Sequence, residues 1–184
     1  MNDFFTAFQK ELTHAVHTDF TQLAQQLKSE TIYAIALVTD SDAGTVYMAV
    51  NTEEGLQRKI EHDKNEGDPD TETYRATLRW VPDEWTYSDG DLKPSQLAKV
   101  SRILMEREDY SEESQSEFYE VATAALQQLD QEGLFIDHAL RDQLTLFLSV
   151  VDDDRVDAIE NYSAKLLNSE AVYEQFAKRY DGVS

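Results

Sequence analysis

Apolar and polar positions divide this chain into helical ends and a strand-rich middle. Phe4, Phe8, Leu12, Val16, Phe20, Leu23 and Leu27 recur at steps of three and four, which predicts one helix over residues 3–28. Ile32-Tyr33-Ala34-Ile35-Ala36-Leu37-Val38 is apolar without a break and too short for a free-standing helix, so it reads as a central strand buried on both faces. A turn at 39–44 leads into a second strand at 45–50. Asn51-Thr52-Glu53-Glu54 offers a cap and first-turn acids for a short helix to about Lys64, and 63–70 is an exposed loop. Residues 74–80 alternate imperfectly and predict a third strand.

Pro82 suits the first position of a helical turn, and Ser88-Asp89-Gly90-Asp91 is a further turn. Pro94 opens a helix with Leu97, Val100 and Leu104 inward. A long helix follows from Ser111 to about Gln131, stopped at Gly133, with Leu134 and Phe135 folding back. Residues 144–151 form a fourth strand. Helices near 155–167 and 169–180 turn Val156, Ile159, Leu166, Val172, Phe176 and Tyr180 inward. The fold class is α+β: a single domain over 1–184, with a three- to four-stranded, mostly antiparallel sheet flanked by N-terminal and C-terminal helices.

Length and composition agree with that picture. The 184 residues suffice to bury about 70% of the unfolded surface, and 41% hydrophobic content excludes wholesale disorder. No cysteine is present, which removes disulfides, thiolate metal sites and a cysteine nucleophile. Neither a signal peptide nor an apolar run long enough to cross a bilayer is visible, so the expected location is cytoplasmic and no membrane partner is expected. Charge changes the picture most: 16 Lys+Arg against 37 Asp+Glu give −21. Such a surface repels nucleic acid and attracts cations or basic proteins, although the same excess also serves solubility alone.

The organising stretch is Arg79-Trp80-Val81-Pro82-Asp83-Glu84-Trp85-Thr86-Tyr87, with both tryptophans and an arginine in nine residues. A helical turn at Pro82 would bring Trp80 and Trp85 together beside Arg79, a geometry suited to stacking or a cation–π contact. Two readings stand: a corner where strand meets helix, pinned by large rings, or a groove in which Arg79, Trp80, Glu84 and Trp85 hold a ligand or partner. The second candidate surface is the helix from Ser111. Phe118, Ala122, Ala125 and Leu129 share one side, while Glu113, Glu117 and Glu120 lie nearly opposite, with Glu106, Glu108, Asp109 and Glu112 just before them.

Motifs for metals are incomplete. Glu11-x-x-His14-x-x-His17 supplies half of a carboxylate-bridged di-iron signature and has no second copy. Asp40-x-Asp42-x-Gly44 resembles a calcium loop, but Thr45 stands at the sixth position and Asn51 at the twelfth; a hairpin turn explains it. The loop from Asp63 fails likewise at Tyr74. Asp152-Asp153-Asp154 at a strand end marks a loop more simply than a Mg²⁺ site. No metal and no cofactor is expected. No nucleophile elbow, phosphate loop or dinucleotide fingerprint occurs, which leaves only a carboxylate pair as a route to catalysis.

Several segments, in order, resemble the bacterial DUF4303 family of uncharacterised proteins. They are Tyr33 through Asp40, Asn51-Thr52-Glu53-Glu54, Arg79-Trp80-Val81-Pro82-Asp83-Glu84-Trp85, Leu129-Asp130-Gln131-Glu132-Gly133-Leu134-Phe135 and Leu167-Asn168. The resemblance covers nearly the whole chain and implies no activity or site residues, only a contextual association with immunity proteins of bacterial toxin systems. The functional expectation is a non-catalytic acidic binding domain of immunity or antitoxin type that occludes a basic partner such as a toxin. The alternatives are a small-ligand or peptide module at the Trp80/Trp85 corner and a carboxylate-based enzyme.

Overall fold

The computed structural model describes residues 3–136 and 140–182. Helix α1 (Asp3–Gln26) leads into β1 (Ile32–Asp40) and β2 (Tyr47–Thr52), followed by α2 (Glu53–Glu66) and α3 (Glu72–Trp80). A 3-10 turn at Pro82–Glu84, strand β3 (Tyr87–Ser88) and a second 3-10 turn at Asp89–Asp91 precede α4 (Leu97–Met105) and α5 (Glu112–Gln131). After another such turn at Arg141–Gln143 come β4 (Thr145–Val151), α6 (Val156–Leu167) and α7 (Glu170–Ala177).

The architecture is α+β, with the sheet in the order β3-β2-β1-β4. β1–β2 and β2–β3 are antiparallel and β1–β4 is parallel, because α4 and α5 carry the chain back before β4 begins. Both faces of β1 are covered, which is why its sequence shows no polar alternation. On one face Ile35, Leu37, Met48, Val50, Leu146 and Leu148 meet α1, α4 and α5. On the other, Ala34, Ala36, Val38, Ala49 and Phe147 meet Leu56, Leu78, Trp85, Ala164 and Phe176. The pairing of β1 with β2 slips between Ile32 and Ala34. That bulge puts Tyr33 and Ala34 on the same side, with Tyr33 aimed at the second face.

Two expectations are corrected. Residues 74–80 are not a strand but most of α3. Thr71 caps it, its hydroxyl accepting from the Tyr74 amide at 3.1 Å, and Glu72 sits in the first turn. Tyr74 and Leu78 pack inward four residues apart, so the imperfect alternation belonged to a helical period. The third strand is instead Tyr87–Ser88. At the C-terminal end, Leu166 and Tyr180 are exposed, Val156 and Ile159 are half-buried, and α6 turns Glu160, Ser163, Ala164 and Leu167 inward. This inward stripe is partly polar because α6 lies over β4, the edge strand, whose outward amides need partners. Ser163 Oγ accepts from the Leu148 amide at 2.9 Å. The Asn168 side chain accepts from the Leu146 amide (2.9 Å) and donates to the Leu146 carbonyl (2.7 Å), standing in for one residue of a further strand.

The helix stop is as expected. Gly133 adopts φ 85°, the Leu134 amide reaches the Leu129 carbonyl at 3.0 Å, and Phe135 is fully buried edge-on to Phe20.

Candidate functional site

Arg79 stands in the last turn of α3, at the corner that joins the two halves. Its guanidinium forms a two-pronged ion pair with Glu53, at 3.0 and 2.6 Å, and lies 4.2 Å from the Tyr33 ring centre. Its main-chain carbonyl accepts from both the Tyr33 hydroxyl (2.9 Å) and the Trp85 indole (3.2 Å). Burial by itself would lower the Arg79 pKa, but the Glu53 bonds hold it up; burial pushes the Tyr33 phenol well above its ordinary range. The Asn51 amide donates to the Leu78 carbonyl at 3.3 Å, so the end of α3 is tied to the end of β2 as well.

The two tryptophans serve different neighbours. Trp80 is half-buried and meets Tyr33 and Phe176 edge-on at 5.9 and 5.4 Å; Trp85 is 9% exposed and meets Phe147 at 5.8 Å. Phe147 in turn touches Phe176, so the rings form one chain through the core of the second face. The corner reading therefore accounts for Trp85. Glu84 lies 3.7 Å from Lys59. Beside Trp80 remains a cavity of about 700 Å³, lined among others by Tyr33, Glu53, Arg79, Thr145 and Gln175. Glu53 and Tyr33 complete this corner and escaped notice as site residues. The first-turn acid at Glu53 was visible, but its partner 26 positions away was not.

The acidic surface takes shape where α4 meets α5. Ser111 caps α5, accepting from the Ser114 amide at 3.3 Å, and Glu112 and Glu113 occupy the first turn. Glu113 and Glu120 are exposed; Glu117 is half-buried. The link between the helices is fixed by Arg107, which is 8% exposed and donates to the carbonyls of Asp42 (2.6 Å), Ala43 and Asp109 (2.7 Å). Burial pushes the Arg107 pKa down. Its guanidinium also stacks 4.0 Å from the Tyr110 ring centre. A groove of about 460 Å³ opens here, lined by Phe4, Phe5, Ile103, Glu106, Arg107, Glu108 and Asp109. Ile103, Met105 and Tyr110 are 44%, 56% and 41% exposed at the same junction.

The remaining motifs are absorbed by local structure. Asp40 accepts from the amides of Asp42 and Gly44 (3.1 and 2.7 Å) and the Thr45 hydroxyl (2.6 Å), closing the turn between β1 and β2. Asp153 binds the Arg155 guanidinium, which holds its carboxyl below the usual range. His14 and His17 are exposed on α1, in a groove shared with Lys10, Gln128 and Glu132. Among the described residues, no three His, Cys, Asp or Glu side chains are grouped to hold a metal ion. Among the described residues, burial raises the carboxyls of Glu160 and Asp89. Glu160 accepts from the Ser149 hydroxyl (2.6 Å) and Arg179 (2.9 Å), and Asp89 lies 2.6 Å from the Ser95 hydroxyl and accepts from the Met48 amide (2.7 Å).

These features define an α+β module with one ring-lined corner and one acidic, partly apolar helix junction. The chain belongs to DUF4303, a domain of unknown function, whose family model matches residues 12–169. No curated protein and no solved structure matched it. Among the described residues, no helix is long and apolar enough to cross a membrane.

Proposed function

We propose that this chain is a non-catalytic binding domain whose acidic α4–α5 junction docks a basic segment of a partner protein. Its action would be occlusion, as when an immunity or antitoxin protein covers the basic cleft of a toxin. The observation that carries this reading is the groove lined by the apolar Phe4, Phe5 and Ile103 and the acidic Glu106, Glu108 and Asp109, in which the basic lining residue, Arg107, is buried and turned to backbone carbonyls. A lysine or arginine side chain matches that combination, with an apolar stem and a charged head. Exposed Met105 and Tyr110 beside it are the residue types that anchor interfaces, which a purely solubilising surface has no need to present. A net charge of −21 would speed encounter with a basic partner.

The test is a pull-down from the native source with the intact chain and with Glu106, Glu108 and Asp109 all changed to Lys. A basic protein held by the intact chain at low salt, released at high salt and missed by the variant supports the proposal. Equal recovery by both chains overturns it.

The cavity beside Trp80 favours a second reading, a small-ligand or peptide site built on Tyr33, Glu53 and Arg79. An occupant there would shield the half-buried Trp80 from acrylamide. If no compound in a fluorescence screen changes that quenching, this second reading falls.

A further inference from the structure

Beneath the first face of the sheet, α1 and the turn before α4 meet through two buried carboxyl groups and one hydroxyl. Asp19 is 0% exposed, Asp89 3% and Ser95 8%. Ser95 Oγ lies 2.6 Å from Asp89 Oδ2 and 3.1 Å from Asp19 Oδ2, and it also accepts from the Ala98 amide at 2.9 Å. A serine hydroxyl has one hydrogen and two lone pairs. It can donate to one of these carboxylates but not to both. If both were ionised, one carboxylate oxygen would face the hydroxyl oxygen with no hydrogen between them, in an interior where such an unmet contact is costly.

One arrangement satisfies every atom. Asp19 already receives the amides of Gln96 (2.9 Å, on Oδ1) and Leu97 (2.8 Å, on Oδ2), the first amides of the α4 turn. It is the natural acceptor for the serine hydrogen as well. Asp89 Oδ1 receives the Met48 amide at 2.7 Å, which leaves Oδ2 free to carry a hydrogen toward Ser95. We propose that Asp89 is protonated in the folded protein at neutral pH and passes a hydrogen-bond chain from Asp89 through Ser95 to an ionised Asp19. The proton comes from solvent on folding.

The surrounding charges favour it. Burial raises the Asp89 pKa, and Asp19, the charged group facing it from α1, adds to the rise. From β2 the facing titratable group is Tyr47, whose phenol is pushed up by burial and by its hydrogen bond to Asp83 and so offers Asp89 no positive charge. The basic side chains nearest in sequence on the adjoining elements, His17, Lys93, Lys99 and Arg102, are all exposed, and Lys99 donates to Gln96 Oε1. None of them forms an ion pair with either carboxyl among the described residues.

Carbon-13 NMR of aspartate-labelled protein tests the idea directly, with the Asp89 carboxyl signal assigned by its loss in Asp89→Asn. We expect that signal to keep its protonated shift at pH 7, whereas titration of all aspartate signals below about pH 5 overturns the proposal. Thermal unfolding gives a second readout. Asn at 89 can donate to Ser95 and accept from Met48, so D89N melts at or above the wild-type midpoint at pH 7. Asn at 19 turns an amide toward a backbone N–H, so D19N melts about 4 °C or more lower, or fails to fold. A D89N midpoint as low as that of D19N overturns the proposal. The D89N margin over wild type also widens from about pH 4 to pH 7, because only wild type must take up a proton on folding; a margin independent of pH overturns it.

Discussion

Arg79 shows how one side chain can join elements distant in sequence without using much net charge. Its ion pair with Glu53 is partly open to water, 34% and 46% exposed at the two side chains, so the Coulomb attraction is screened. More of its contribution comes from covering the Tyr33 ring and fixing the carbonyl that Tyr33 and Trp85 share. We therefore expect Arg79→Ala to cost about 1–2 kcal/mol and Glu53→Gln less than about 1 kcal/mol, measured by urea unfolding. Arg107 is the sterner case. Truncating it takes a donor from the carbonyls of Asp42, Ala43 and Asp109, of which Asp109 keeps the Ser114 hydroxyl, so Arg107→Ala should cost about 3 kcal/mol. The cluster of Arg79, Trp80 and Trp85 was legible as a hub because the three are close in sequence. Which rings they touch was not legible, because Phe147 and Phe176 reach the corner only through β4 and α7.

At the scale of elements, the edge strand is the instructive part. β4 would expose outward N–H and C=O groups along its free side, and Ser163 and Asn168 supply their partners. Asn168→Ala removes both bonds to Leu146. The expected outcome is a loss of about 2 kcal/mol, with faster hydrogen exchange at the Leu146 amide, read by NMR. The same edge explains why Leu166 is exposed while Ile159 does pack against the core: an apolar period is an incomplete guide to a helix whose inner face must also hydrogen-bond. The strand expected at 74–80 failed for a related reason. A short segment with one fully buried residue has too few apolar positions to separate a period of two from one of 3.6, and the Thr71 cap was the better signal.

For the molecule as a whole, charge and buried carboxyls act together on stability. Glu30, Glu54, Asp63, Asp109 and Asp153 have depressed pKa values from their hydrogen bonds. Their contribution is present above the ordinary carboxylate range and is lost as pH falls through their folded values. Asp89 and Glu160 are raised, so what they contribute is full at low pH and lost as pH rises through their folded values. Self-repulsion at −21 adds to that loss toward alkaline pH. Stability should therefore peak on the acid side of neutrality, at about pH 5, and added salt should raise it at pH 8; guanidinium is unsuitable for this test and urea titrations at each pH would show it.

The sequence by itself determined the helices at both ends, the buried strands β1, β2 and β4, the Gly133 stop and the excess of acid, because each is written in local spacing or composition. It also carried the family, through segments that turn out to cap, pin or cover: Thr52 at the start of α2, Arg79 at the corner, Asn168 along the strand edge. Only the tertiary structure decided that Trp85 is a core ring while Trp80 borders a cavity, that Glu53 belongs to Arg79, and that Asp19, Ser95 and Asp89 share a proton's worth of hydrogen bonds. Those pairings join residues tens of positions apart, and no local period encodes which distant partner a buried polar group will find.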